Sequence, residues 1–266
     1  MKKVTQLIIL SFFGLFFASV AHAETIKDFN SKITVLPDSS IFVEENITYN
    51  FEESIRHGIY RTIPLLNSKN ESTKIEVVSV LDDNKNPYEF TTDTEDGTFT
   101  IKIGSLDKMV SGTKIFNITY RVLGSIAYYD GFDEIYWNVT GNDWDIPIKK
   151  SEARVVLPTN VFPLNQDCYY GLSGSKTKCK ITEAGIFSSG TMLNKSEGLT
   201  VAVSFPKGAV TVYQPKVDSA LVKFVKTFWP AVIPLIVFIF AFIRWFKVGR
   251  DPKGKGVIIT QYDVSD

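Results

Sequence analysis

The stretch Ser31-Lys-Ile-Thr-Val-Leu36, Pro37-Asp-Ser-Ser40, Ile41-Phe-Val-Glu-Glu-Asn-Ile-Thr-Tyr-Asn-Phe51 decides the fold class. Apolar and polar residues alternate on both sides of a Pro-Asp-Ser-Ser break. Period-two alternation is the mark of a half-buried strand, and Pro, Asp and Ser are turn residues, so the segment reads as a β-hairpin. The same style continues downstream over Lys74–Leu81, Thr98–Ile103, Lys114–Val122, Ile135–Thr140, Ala153–Leu157 and Leu199–Phe205, with Asp82-Asp-Asn-Lys-Asn-Pro87 as a further turn. No helical period is sustained between Glu24 and Phe205. Many short strands rich in Val, Ile, Thr, Tyr and Phe predict a mainly β protein: a β-sandwich over residues 24–212, either one large domain or two packed subdomains meeting near 146–152.

Outside this region the chain changes character. Lys2 and Lys3 precede an apolar run from Leu7 to Phe17, and Ala21-His22-Ala23 places small residues where a signal peptidase needs them. Residues 1–23 therefore read as a signal peptide, cut between Ala23 and Glu24. Near the other end, Phe228–Ile243 carries no charge. With its flanks it makes a helix of about 34 Å, enough to cross a bilayer. A transmembrane helix is expected over 227–246, after a juxtamembrane linker at 213–226. Trp229 and Trp245 suit the two interfaces and Arg244 is near enough to the end to snorkel. Lys247, Arg250, Lys253 and Lys255 crowd the far side, which puts the tail 247–266 in the cytoplasm and the β domain outside it, at the cell membrane.

The 29 basic and 29 acidic residues balance to a net charge of +0, which gives no reason to expect nucleic acid as a partner. The expected partners are the lipid bilayer and an envelope or membrane protein. Two cysteines, Cys168 and Cys179, flank a Gly- and Ser-containing turn. Outside the cytoplasm the default is one disulfide stapling a short loop, the alternative being two free thiols.

The chemistry-bearing residues are few. After cleavage His57 is the one remaining histidine, so no zinc set and no convincing nucleophilic triad can be drawn. No P-loop or dinucleotide fingerprint occurs, and no cofactor or metal is called for. Acidic turns at Asp93–Gly97, Asp130–Glu134 and Asn142–Asp145 carry oxygen ligands of the kind that hold calcium or hydrolyse glycosides, but β-turns require the same residue types and that reading is preferred. Tyr128, Tyr129, Phe132, Tyr136, Trp137 and Trp144 concentrate in one region. Such rings beside acids and amides stack on sugars, or more commonly fill a sandwich core. Five Asn-x-Ser/Thr triplets begin at Asn46, Asn70, Asn117, Asn138 and Asn194, and matter only in a host that glycosylates.

Four stretches carry a resemblance: Arg56-His-Gly-Ile-Tyr-Arg-Thr-Ile-Pro64, Tyr136-Trp-Asn-Val-Thr-Gly-Asn-Asp-Trp-Asp-Ile-Pro-Ile148, Gly198-Leu-Thr-Val-Ala-Val-Ser-Phe-Pro-Lys-Gly208, and Gly249-Arg-Asp-Pro252 with Gln261-Tyr262. In order and spacing the chain resembles domain-of-unknown-function family 2207, predicted bacterial membrane proteins. The resemblance implies a β domain outside the cytoplasm tethered by a helix, implies no known activity, and implies that longer members continue past the Gly-Arg-Asp-Pro segment through a cytoplasmic region and further spans. It also directs attention to Gly58, Arg61, Pro64, Trp137, Asn138, Gly141, Trp144 and Asp145. Gly58 allows a backbone approach that a side chain would block. Arg61 offers a planar fork for a carboxylate such as Asp143 or Asp145, making the motifs a clasp between strands; facing a groove with Trp144 instead, it would form a binding site. The leading expectation is a non-enzymatic binding or assembly module at the envelope. The rival is a hydrolase of envelope polysaccharide working through Asp143, Asp145 or Glu134.

Overall fold

A computed structural model of the chain describes residues 23–215 and 220–249. Residues 1–22 of the expected signal peptide, part of the expected juxtamembrane linker, Arg250 and the remaining tail lie outside the described residues. The described chain forms two units, a β domain ending at Gln214 and a helical segment.

The hairpin read from the sequence is β1 (Thr25–Val35) and β2 (Ile41–Asn50). Its turn closes through Leu36 N–H to Ser40 O at 2.9 Å and Ser39 N–H to Leu36 O at 3.0 Å. Asp38 Oδ1 accepts from Ser40 N and Oγ at 3.1 and 2.6 Å, an Asx arrangement that lets Ser39 take φ 64°. Thirteen strands follow: β3 (Gly58–Pro64), β4 (Lys74–Leu81), β5 (Phe90–Glu95), β6 (Thr98–Gly104), β7 (Thr113–Leu123), β8 (Ile126–Tyr128), β9 (Phe132–Asn138), β10 (Ser151–Val156), β11 (Asn165–Gly171), β12 (Thr177–Lys178), β13 (Lys180–Ile181), β14 (Ile186–Ser188) and β15 (Gly198–Pro206).

They make three sheets. The largest has the order β13-β14-β10-β1-β2-β7-β4, the second β12-β11-β15-β9-β8, and the third β3-β6-β5. Pairing is antiparallel except between β1 and β10, which run parallel with Phe29 opposite Ser151. Because β10 lies directly beside β1, the chain before and after residues 146–152 shares one sheet. Alternation sends Phe29, Ile33, Val43, Ile47, Phe116, Ile118 and Tyr120 of the large sheet inward. They form one core with Ile135, Trp137, Val201 and Val203 of the second sheet and with Ile59, Ile63 and Ile101 of the third. The Tyr120 and Trp137 rings, from different sheets, stand 6.5 Å apart. Each such side chain stabilises by about 1.5–3 kcal/mol when fully buried, so the core rather than any single staple carries the domain.

Cys168 and Cys179 are joined as a disulfide, with Cα atoms 5.2 Å apart. It ties β11 to the residue after β12. A loop this short contributes about 2–3 kcal/mol in chain-entropy terms.

The helical unit is α1 (Ala220–Val248), continuous through Pro230 and Pro234. Its segment Thr227–Val248 is long and apolar enough to cross a membrane, and none of it is buried by protein. Trp229, Arg244, Trp245 and Lys247 all lie on this helix with exposed side chains.

Candidate functional site

The motif residues meet around a charge that the fold has buried. Glu45 occupies an inward position of β2, between Val43 and Ile47, and is 2 % exposed. Facing it, Arg61 holds the inward position of β3 between Ile59 and Ile63 and is 1 % exposed. Two ionised groups this deep cost several kcal/mol each in lost hydration and persist only if every donor and lone pair is answered.

Here they are answered. Arg61 Nε and Nη2 donate to Glu45 Oε2 and Oε1 at 2.8 and 2.7 Å, the bidentate fork geometry. Nη1 donates to Thr62 O at 2.8 Å and Thr140 O at 3.0 Å, and the second Nη2 proton goes to Val139 O at 2.8 Å. All five guanidinium protons are used. Tyr120 donates its hydroxyl to Glu45 Oε1 at 2.5 Å, and the Phe29 ring lies 5.4 Å from the guanidinium carbon. Burial pulls the Arg61 pKa down, but the Glu45 carboxylate outweighs it and holds the guanidinium charged. Burial and the same carboxylate push the Tyr120 phenol well above its ordinary value.

The carbonyls that Arg61 needs come from the loop after β9. Asn138 Oδ1 accepts from Gly141 N at 3.0 Å, and Gly141 takes φ 78° to turn the chain. A Cβ on Gly141 would stand 2.9 Å from Arg61 Nη1, so glycine is required for close approach. Thr140 O also accepts from Trp144 Nε1 at 2.8 Å, which seats the indole against Phe29 and Tyr49. Thr140 Oγ1 accepts from Leu199 N at 2.8 Å, joining the loop to β15. Asn142 Nδ2 donates to Gly171 O and Ser196 O at 3.1 and 3.0 Å.

This geometry corrects the pairing expected from the motifs. The carboxylate opposite Arg61 is Glu45, whereas Asp143 and Asp145 are exposed at the end of the loop. Nor do Arg61 and Trp144 line a groove, since both are buried and meet at Thr140 O. Trp137 is buried beneath them, and Pro64 ends β3, exposed, opposite Thr98. Motif spacing does not single out Glu45. The signal for it was an acid at the inward phase of an alternating strand, which calls for a buried partner. Glu24, at the expected cleavage point, accepts from Tyr49 Oη at 2.7 Å and from Arg56 Nε at 2.8 Å.

Accessible features lie elsewhere. The residues Arg56–Tyr60 form one wall of an open cleft of about 900 Å³, completed by β5, β6 and the 105–107 turn. Its rim carries Tyr60 at 68 % exposure and Leu106 at 87 %. Its floor is the Gly58–Gly104 pair, where the two strands approach so closely that a Cβ on Gly58 would stand 1.8 Å from Ile103 O. His57 is in this cleft with Nδ1 3.1 Å from Ser105 O. On the second sheet, burial and the neighbouring Asp167 carboxylate raise the pKa of Glu134, while Lys178 and Asn165 hold Asp167 low. Among the described residues no three His, Cys, Asp or Glu side chains cluster in a way that could hold a metal ion.

A β-sandwich domain followed by one long apolar helix defines a membrane protein built around an internal ionic clasp. The chain belongs to the family described as predicted membrane protein (DUF2207), N-terminal domain, which matches residues 25–205. It is 28 % identical over 159 residues to the protein of Escherichia coli (strain K12) named "Uncharacterized protein YciQ", covering 54 % of this chain and 25 % of that one. The chain thus spans about a quarter of that curated relative's length. Among solved structures, leukotriene A4 hydrolase of Saccharomyces cerevisiae matches 70 % of this chain and 30 % of its own at TM-score 0.40 and 9 % identity. An M1 zinc metallopeptidase from Deinococcus radiodurans matches 68 % of this chain and 42 % of its own at TM-score 0.36 and 11 % identity. Likeness at that level carries no argument about activity.

Proposed function

We propose that the β domain is a non-enzymatic binding module, presented outside the cytoplasm on its helical anchor, and that an envelope or membrane protein docks in the cleft along β3, β5 and β6. The observation that carries this reading is the rim itself. Tyr60 and Leu106 leave large apolar surfaces in water above a glycine floor, and a folded domain gains nothing by exposing both at the mouth of an open cleft. The ionic clasp supports it by fixing β3, and with it the cleft wall, to the large sheet. The exported topology rests on the signal peptide and on the basic residues after the span.

A photo-crosslinking amino acid at Leu106, in the full chain in intact cells, is expected to give a discrete protein adduct. The same probe at Phe162, an exposed position outside the cleft, is expected to give none. Absence of an adduct at Leu106, or equal adducts from both positions, would remove the cleft from the proposal.

The second reading, a polysaccharide hydrolase, draws on one observation. Glu134 and Asp167 have pKa values moved in opposite directions, the pattern of an acid and a base sharing a site. It predicts that the purified chain releases soluble fragments from isolated cell wall and that Glu134→Gln lowers the rate by at least about a hundredfold, the usual worth of a general acid. No release by the unsubstituted chain across acidic and neutral pH ends that reading.

A further inference from the structure

We infer that a second site, on the outer face of the five-stranded sheet, binds one neutral pyranose ring of a glycan chain. The site is a hollow of about 140 Å³ that shares no lining residue with the cleft. It has room for a few waters, about the scale of one six-membered sugar ring.

The character of its lining selects the ligand. Tyrosine, asparagine, serine, threonine, glycine and one leucine line it, and no ionisable acid or base does. A phosphate, carboxylate or ammonium group would find no free counter-charge in the lining, since Lys178 behind Tyr169 is already paired with Asp167, and would lose its hydration, which is costly. A neutral polyol meets no such penalty. Its hydroxyls need hydrogen-bonding groups and its C–H face needs a flat apolar surface, and the hollow offers both.

The flat surface is Tyr136, which projects from the outer face of β9 and is 41 % exposed. Register places Asn138 beside Thr200 and Thr200 beside Tyr169, across β9, β15 and β11. Ala202 lies beside Tyr136, so no bulky side chain stands on β15 between the two phenols. Lys178 lies over the Tyr169 ring at 4.5 Å and donates to its hydroxyl at 3.2 Å, which fixes that ring as a wall. The Tyr136 and Thr200 hydroxyls make no hydrogen bond within the described protein, and Asn138 uses only one of its two amide protons, toward Asn142 at 2.8 Å. These groups are aimed at a ligand rather than at the fold.

The walls are also held in place. Asn142 spends both amide protons on Gly171 O, at the end of β11, and Ser196 O, two residues before Gly198. The Cys168–Cys179 bridge closes the 169–178 loop that forms the opposite wall. Gly198 brings β15 against the 141–142 turn, where a Cβ would stand 2.7 Å from Gly141 O. A hollow built this way costs little ordering when it is filled. It also accounts for features that the cleft leaves unused: the disulfide, Asn142 and Gly198.

The full chain in lipid nanodiscs, titrated calorimetrically with tetrasaccharides of glucose, galactose, mannose and N-acetylglucosamine, should bind at least one of them saturably. Tyr136→Ala should weaken that binding by at least about tenfold, the loss of one aromatic stacking surface together with its hydroxyl, while Tyr136→Phe should lose only the share carried by the hydroxyl, about threefold. Tyr60→Ala, in the cleft, should leave it unchanged, which separates this site from the docking proposal. Competition by polysaccharide from isolated cell envelopes would place the glycan there, and its absence would point to a free oligosaccharide. Failure of all four probes to bind, or equal binding by Tyr136→Ala, overturns the assignment.

Discussion

Replacing Arg61 with methionine is expected to lower the unfolding free energy of the β domain by about 3–5 kcal/mol, read from urea denaturation of residues 24–213. The size follows from what is left behind. Glu45 would lose its counter-charge in a site where it is 2 % exposed, and the Thr62, Val139 and Thr140 carbonyls would lose a donor. Arg61→Lys should recover only part of the loss, because three ammonium protons cannot answer five acceptor positions on a planar fork. Arg61→Met combined with Glu45→Met should cost less than the two single losses added, since the pair is then replaced by apolar volume. A loss under about 1 kcal/mol for Arg61→Met would show that the network is not what holds β3 to the large sheet.

The second large effect belongs to Gly58. An alanine Cβ there would lie 1.8 Å from Ile103 O at φ 150°, and the obstacle is backbone, at the terminal pair of the β3–β6 ladder. The β3–β6 pair would have to separate, taking Arg61 with it. Gly58→Ala is expected to exceed about 4 kcal/mol or to abolish the cooperative transition. Gly97→Ala is the control. Gly97 also has positive φ, 74°, in the two-residue Asp96-Gly97 turn, but nothing lies within 4 Å of its added Cβ. It should cost only about 1–2 kcal/mol, the price of a left-handed conformation. Equal losses at the two positions would deny the close approach its importance.

Strands whose buried face is apolar along its length are legible from the sequence, and those that lack such alternation are not. The alternation over Lys74–Leu81 coincides with β4, and the hairpin around Pro37–Ser40 closes as its turn residues require. Leu199–Phe205 fell short by one residue at each end. By contrast β5, Phe-Thr-Thr-Asp-Thr-Glu, is exposed along its whole length and shows no alternation to detect. Strand β11 begins Asn-Gln-Asp and gains its place from pairing with β15. β3 hides its phase because an arginine occupies a core position between Ile59 and Ile63. The motifs were visible as motifs, and Arg61 was visible as a fork seeking a carboxylate. Which carboxylate it finds depends on a contact between two sheets, and spacing along the chain does not encode that. Asp145, nearer to Arg61's loop carbonyls in sequence, points to water, while Glu45 reaches the guanidinium from the far side of the core.

The parallel pairing of β1 with β10 sets a timetable for folding. Strand β1 zips onto β2 within a few residues, yet its other edge must wait for β10, because Phe29 faces Ser151, 122 positions further on (151 − 29). At about 5–20 residues per second of synthesis, that edge stays unpaired for roughly 6–24 s. An open edge beside a strand carrying Phe29, Ile33 and Val35 is a template for pairing with another chain. Such long-range pairing is also intrinsically slow to form. The nascent protein therefore passes through a period in which its first and most central strand is its most aggregation-prone, and any factor that shields newly made chains has its longest opportunity there.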